Sequence, residues 1–546
     1  MSEENPDVIV IGSGHNGLTA AAYLAKAGLA VLVLEANDWI GGCTSSSYDL
    51  IPEAPEHSIS PCAQDICLMR ASTIVADLGL ARYGYREVEV DPAYIAPLPD
   101  GSSLAFWRDM NRTAEELRHY SKRDAREYLK FAEMLDTALD AGMAFMVGNP
   151  MRPSAATIKA ALKAGARHPK HLATVLGMLG GTAADAIDER FRHPIIRGGL
   201  ASLAAVGAPI TEKGSGINAL FPGIVSRAGV SRVIGGTQAL PDALVACLAA
   251  HGGSVRTEAR VASLTMAGDR VTGVELESGE CLTARAVLAG CDPVQTLKKL
   301  LPASALPDRL AKRVERIPTH NEGCSYFKVD LAFDGRLEMR KLQARRADGL
   351  DLRNTAVLAG SFEMMVDAAH AAQAGRIPDP CPVACVLPTG PDPSQAPDGK
   401  DTLYLWVGWT PENPPGGWTP ETTARAADAL IDHASIYFEN LREIELGRYV
   451  EPWPLLEQRT NVPNGNPYHV DLISYRNGPF RPAFGFGGYQ TPVAGLYLTG
   501  GGTHPGPSVS GIPGQLAAQT VLRTLRGGSP TVARPTPREE RTHVTV

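Results

Sequence analysis

Gly12-Ser13-Gly14-His15-Asn16-Gly17 lies between two short apolar runs near the N-terminus, a spacing that few folds accommodate. The run before it, Asp7-Val8-Ile9-Val10-Ile11, is β-branched and ends directly in glycine, as a buried parallel strand does. After it, Leu18, Ala21, Ala22, Leu24 and Ala25 recur at helical spacing up to Gly28. A second strand, Val31-Leu32-Val33-Leu34, then ends in Glu35 and Ala36. Strand, glycine turn, helix, strand and acid in that order predict a dinucleotide-binding unit of an α/β fold. Gly12 permits the tight turn, Gly14 lets the backbone approach a pyrophosphate, and Gly17 lets the helix pack close to the strand. The helix N-terminus stabilises the phosphate charge. Glu35 stands 18 residues past Gly17, placed to accept hydrogen bonds from both ribose hydroxyls and to disfavour a 2′-phosphate. NAD and FAD both use such a unit.

The extended motif separates them. Beyond Glu35 and five intervening residues come Gly41-Gly42, then Cys43 and Thr44. From Ile11 to Gly42 the pattern resembles the dinucleotide motif of FAD proteins related to amine oxidases and phytoene desaturases. In that group the glycine pair passes close to the phosphate-ribityl region of the flavin, and arginine usually follows it. Cys43 departs from that pattern; a small residue in a tight turn is the favoured reading over covalent flavin attachment. Near the other end, Leu496–Thr499 reads as a strand running into Gly500-Gly501-Gly502-Thr503-His504-Pro505-Gly506, and Gly511-Ile512-Pro513-Gly514 opens a helix from about Gln515. This segment is similar to the C-terminal glycine-rich signature of phytoene-desaturase-like oxidoreductases, a family that includes the carotenoid desaturases and the pyridine nucleotide-disulfide oxidoreductase domain-containing protein 2 group. Its second helix N-terminus would stabilise negative charge on a reduced flavin. By the same resemblance, Val261 supplies backbone contacts to adenine.

The resemblance implies an α/β protein with a discontinuous, Rossmann-like FAD-binding domain over residues 1–105, 220–300 and 480–527. A second, substrate domain of mixed sheet and helices takes 106–219 and 301–479, with 528–546 as a disordered tail. Within these blocks the residues predict a hairpin unit at Arg260–Leu264, Gly273–Leu276 and Ala284–Leu288, one long helix from Ala114 to about Val147, and strands at Ser325–Leu331 and Thr402–Val407.

Composition bounds the partners. A length of 546 residues with 44% hydrophobic and 20% charged content is that of a globular chain with about three or four units' worth of core. A net charge of -7 argues against nucleic acid. Nine cysteines with no C-x-x-C pair suggest reduced thiols, no zinc site and no disulfide-reductase motif. The acidic start and the shortness of every apolar run predict a cytoplasmic protein without a signal peptide or membrane span. Lys159, Lys163 and Arg167 fall on one helical stripe beside Ile158 and Leu162. That stripe is either a solvated face, a partner interface, or a peripheral membrane contact through which an apolar substrate enters. Neither composition nor motif sets an oligomeric state.

Flavin dehydrogenation asks little of side chains, so catalytic candidates are few. His504 lies in the glycine-rich motif, either beside the flavin or as part of the helix start. His57 follows the glycine pair where the chain often returns toward the ring, and Tyr489 precedes the last strand. The expected function is FAD-dependent dehydrogenation of a largely apolar small molecule by hydride transfer to flavin N5. Oxygen, a quinone or another carrier would be the electron acceptor. The rivals are a flavin amine oxidase forming an imine, a flavin-dependent isomerase, and a non-catalytic flavin-fold scaffold, which need not keep the C-terminal motif.

Overall fold

The computed structural model describes residues 5–205 and 207–527, so the tail expected at 528–546 lies outside the described residues. Its first layer is a five-stranded parallel sheet in the order Leu496–Leu498, Ala286–Ala289, Val8–Ile11, Val31–Leu34, Ser254–Arg256. The central strand is buried on both faces, which is why it reads as an uninterrupted β-branched run. Over one face the helix His15–Lys26 packs between Ala239–Ala250 and Ile512–Leu525. Its alanines allow that close approach: Ala20, Ala21, Ala22 and Ala25 are all buried. Val261–Ala267, Arg270–Leu276 and Cys281–Thr283 make the expected antiparallel unit beside the sheet. Ala286–Ala289, expected as its third member, pairs instead with Val8–Ile11 in the parallel sheet.

The second layer is a seven-stranded mixed sheet in the order Glu445–Pro452, Cys324–Phe333, Asp401–Pro411, Val383–Val386, Ala356–Ala359, Tyr94–Pro97, Ser103–Phe106. Phe327, Val329, Leu331 and Phe333 face the helix Pro420–Ala434 on one side. On the other side the helices between residues 110 and 228 cover Tyr94, Leu104 and Phe106.

Two boundaries differ from the sequence expectation. Residues 94–106 do not complete the cofactor domain. Tyr94–Pro97 pairs in parallel with Ala356–Ala359 and antiparallel with Ser103–Phe106, so this hairpin closes the edge of the substrate sheet. Both strands are buried throughout, and this pairing gives their backbone groups partners. The single helix expected from Ala114 to Val147 is two, Met110–Tyr120 and Lys122–Met146. Ser121 adopts an extended backbone between them, and its side chain caps the second by accepting from the Asp124 amide.

Candidate active site

The first glycine turn and the C-terminal glycine-rich segment meet. Gly12 takes φ +92°, a conformation strained for any residue with a Cβ. A Cβ on Gly17 would stand 2.4 Å from the Gly12 carbonyl oxygen, which accounts for the third glycine of the turn. Gly41 donates its amide to the Ser13 carbonyl at 3.1 Å, and a Cβ on Gly42 would lie 3.3 Å from Gly14 Cα. The glycine pair therefore packs directly on the phosphate turn. Gly514 sits so close to the first helix that a Cβ would fall 2.2 Å from the Asn16 carbonyl oxygen. His15 Nε2 bonds the Ser508 carbonyl at 3.2 Å. The helix starting at His15 has no side-chain cap, and at the one starting at Ile512 only the first amide has a side-chain acceptor, Ser510 Oγ at 3.3 Å. Their orphan amides are what an anionic group would occupy.

Glu35 is buried at the end of its strand. It accepts from Ser13 N at 2.8 Å and Ser13 Oγ at 2.6 Å on one oxygen, and from Asn37 N at 3.0 Å on the other. Three of its four lone-pair sites are thus taken; the one left, on the oxygen bonded to Asn37, can accept from a ribose hydroxyl. Gly14 faces open space, since a Cβ there would meet nothing within 4 Å.

A cavity of about 970 Å³ runs from this cradle into the substrate domain. That volume is at the upper end of the roughly 300–1,000 Å³ of small-molecule sites. Gly12, Gly14, His15, Asn16, Gly17, Glu35, Ala36, Gly42, Cys43, Val261, Gly501 and His504 line it. Other expected residues support it from behind. Ser13 holds Glu35, and Thr44 Oγ1 bonds the Gly41 carbonyl at 2.7 Å. Thr503 Oγ1 bonds the Gly500 carbonyl at 2.9 Å. Gly502 is backed by Pro293, while Gly511 and Ile512 begin the last helix within the core.

The catalytic candidates separate. His504 Nε2 donates to the Phe145 carbonyl at 3.0 Å, and its ring meets the Phe145 ring edge-on at 4.9 Å. Burial pushes its pKa down to about 4, so the ring is neutral, with Nδ1 buried and unpartnered. Tyr489 stands behind the wall and donates to the His504 carbonyl at 2.8 Å, a positioning contact. His57 does not reach the cavity: it is buried against the substrate sheet, its Nε2 donating to the Phe333 carbonyl at 3.2 Å. Burial lowers its pKa as well, as for a structural histidine.

Three features escape the sequence reading. Lys328 is fully buried, donating to the Ser60 carbonyl at 2.6 Å and pairing with Asp330 at 2.7 Å. Glu451 accepts from Arg459 at 2.6 and 3.0 Å and from Tyr449 at 2.9 Å. The alternation of Lys328 and Asp330 with Phe327, Val329 and Leu331 was the available signal for a polar side of that strand. Arg481, also fully buried, donates to the carbonyls of Gly501, Tyr468 and Val470 and so ties the C-terminal turn to the cavity wall. His469, on the wall itself, bonds Asp292 at 3.1 Å; its irregular loop offers no periodicity to read.

A parallel sheet, two converging helix N-termini, a ribose-directed carboxylate and an attached apolar chamber fit FAD and define a flavin-dependent oxidoreductase. The chain belongs to the flavin containing amine oxidoreductase family, whose profile matches residues 17–378. It is 30% identical to mouse (Mus musculus) pyridine nucleotide-disulfide oxidoreductase domain-containing protein 2, over 95% of this chain and 94% of that one. It is 25% identical to the lycopene-forming phytoene desaturase of Pseudescherichia vulneris, over 95% and 98% of the two chains. The solved cyclohexylamine oxidase of Brevibacterium oxydans shares the fold, with a TM-score of 0.57, 18% identity, and coverage of 96% of this chain and 100% of that one. Among the described residues no helix is long and apolar enough to cross a membrane.

Proposed function

We propose that this enzyme dehydrogenates a largely apolar organic substrate, leaving a C=C bond. The observation that carries this reading is the chamber beyond the cofactor cradle. Its described lining between residues 137 and 224 includes Leu139, Phe145, Leu172, Val175, Leu203 and Phe221 and has no charged side chain. A substrate ammonium lodged there would be desolvated without a partner, a costly arrangement. Bound FAD supplies a hydride acceptor at N5. The chain supplies orientation and the exclusion of water. His504 stands neutral at the chamber wall, and Tyr489 holds it through its carbonyl.

Amine oxidation to an imine, with oxygen as acceptor, is the second reading. It is favoured by the aromatic side chains of Tyr326, Tyr404, Trp406 and Tyr468, which line the same cavity. Anaerobic mixing of the purified flavoprotein with apolar alkenes and polyenes on one side, and with amines on the other, decides between them. Loss of visible flavin absorbance with the apolar set is expected. Bleaching by amines alone, with hydrogen peroxide formed on admitting air, would overturn the first reading.

The route in is part of the proposal. Helices Ala155–Arg167 and Pro169–Gly180 bring Ala161, Ala164, Leu172 and Val175 to the cavity. Yet Ile158, Leu162, Leu172 and Leu176 are 49%, 70%, 43% and 60% exposed. A grouping of that size marks an interaction surface. Lys159, Lys163 and Arg167 run beside it, so the partner that matches both the apolar and the basic stripe is an anionic bilayer surface. An apolar substrate would pass from there between the helices.

A further inference from the structure

We propose that Cys43 and Cys62 form a redox-active dithiol–disulfide pair within the flavin cavity, with a low-molecular-weight disulfide as its external oxidant. No C-x-x-C spacing announces the pair; the fold assembles it. Ser47 and Ile59 exchange backbone hydrogen bonds at 2.9 and 2.8 Å, and the Ala63 amide donates to the Cys43 carbonyl at 3.2 Å. The two segments therefore run antiparallel, with Cys62 one residue from the position opposite Cys43. The Ala63 bond sets the peptide joining Cys62 to Ala63 directly against Cys43, the backbone proximity a disulfide needs. Each thiol is the leading influence on the other's titration, Cys62 lowering Cys43 and Cys43 raising Cys62. Both line the cavity into which Gly14, Glu35 and Gly42 open, and both are half-buried rather than sealed in the core.

Their surroundings divide the labour. The neighbouring Cys62 thiol, helped by the Arg459 guanidinium, lowers the Cys43 pKa against the opposing effect of burial. Cys62 is pushed up by the same contact and by burial, so it keeps its proton. An attacking thiolate beside a protonated resolving thiol is the arrangement thiol–disulfide exchange requires. Cys43 Sγ attacks one sulfur of the external disulfide, whose S–S bond breaks and releases a first thiolate. That thiolate takes the Cys62 proton. Cys62 Sγ then attacks Cys43 Sγ, breaking the mixed disulfide and releasing a second thiolate. Two cysteines are thereby oxidised and one external disulfide is reduced. In the other direction, bound FAD in its reduced form would supply the two electrons and one proton that return the protein disulfide to Cys43 thiolate and Cys62 thiol. Substrate electrons would thus leave through the pair. This last step rests on the FAD assignment; formation of the disulfide does not.

The test uses the full-length holoprotein and oxidised glutathione, followed by denaturing alkylation, non-reducing digestion and mass spectrometry. A Cys43–Cys62 linked peptide is expected. Cys62→Ser should instead hold glutathione on Cys43, and Cys43→Ser should give neither product. Both cysteines remaining alkylatable in the oxidised wild type, or equal glutathione adducts in wild type and Cys62→Ser, would overturn the pair. For the relay, the protein is oxidised, freed of glutathione and anaerobically reduced by substrate. Visible flavin absorbance should then recover as the linked peptide disappears, and should not recover in Cys43→Ser. A persistent linkage beside bleached flavin would overturn the relay. A linked peptide in protein carrying no FAD would leave the pair standing and remove the flavin reading alone.

Discussion

Replacing Arg481 by methionine tests whether the C-terminal turn is held in place by one buried cation. Arg481 is 0% exposed, and its Nε and Nη2 reach the Gly501 carbonyl at 3.1 and 2.8 Å. Nη2 also reaches the carbonyls of Tyr468 at 2.7 Å and Val470 at 3.0 Å, and Nη1 that of Arg476 at 3.3 Å. Burial lowers its pKa to about 9, opposed by Asp471 and Asp292, so it is charged at neutral pH. Methionine fills much of the volume but offers no donor. Four carbonyls lose this partner, and the two buried ones, of Gly501 and Val470, cost about 1–3 kcal/mol each. Removing one side of a buried charged network costs about 3–5 kcal/mol, so that range is the expected loss. Against a total of about 5–15 kcal/mol this is a fifth or more of the stability. Urea unfolding followed by tryptophan fluorescence, with flavin absorbance recorded in parallel, should show a lower midpoint and FAD released before the fold is lost. Arg481→Lys, which keeps charge and up to three donors, should fall between. An unchanged midpoint with full retention of FAD in Arg481→Met would refute the clamp.

Glu212 gives a pH signature: burial first, then the field of Asp471, raises its pKa to about 8, and its Oε2 has no partner. A raised folded-state value means that its contribution to stability is complete below the unfolded value near 4.5 and is lost as pH climbs through 8. Glu212→Gln should match wild type near pH 5 and exceed it by about 2–4 kcal/mol at pH 8 in denaturant titrations; a pH-independent difference would contradict this. Gly514→Ala places a methyl 2.2 Å from the Asn16 carbonyl oxygen and should cost about 1–3 kcal/mol and weaken FAD retention, read by thermal melting and absorbance. Gly177→Ala, with open space around it on an exposed helix, should be neutral or stabilising by up to about 1 kcal/mol, and equal melting shifts for the two would remove the close-packing argument. Leu162→Asp with Leu176→Asp removes two exposed leucines worth about 1.5–3 kcal/mol each when buried. Co-sedimentation with anionic vesicles should drop at least tenfold, and equal sedimentation of wild type and variant would rule out the membrane surface.

The cofactor half was legible because its constraints are short in sequence. Gly17 excludes a Cβ through a carbonyl only five residues back, and Glu35 is oriented by Ser13 within the same βαβ unit. Glycine is demanded by backbone geometry, so the pattern survives whatever surrounds it. The substrate half obeys no such local rule. Tyr94–Pro97 finds its parallel partner at Ala356–Ala359, and nothing in either tetrapeptide names the other. The hairpin was therefore assigned to the wrong layer. His57 has the spacing of a flavin-side residue, yet its ring is spent on the Phe333 carbonyl; composition around it, Glu56-His57-Ser58, is the same for either role.

The same asymmetry explains where chemical novelty accumulates in this chain. A glycine of the cradle cannot change without a steric penalty, as the 2.2 Å and 2.4 Å approaches at Gly514 and Gly17 require. Cys43 is different: it follows the glycine pair in a turn whose geometry is set by Gly41 and Gly42 at φ +109° and +55°, so its own side chain is free to vary. What it becomes chemically depends on a loop that folds back from residue 59 onward and delivers Cys62. A rigid backbone motif thus presents a variable side chain to a cavity whose other walls come from distant sequence. Reading the motif identifies the cofactor, while only the assembled fold identifies the groups that surround it.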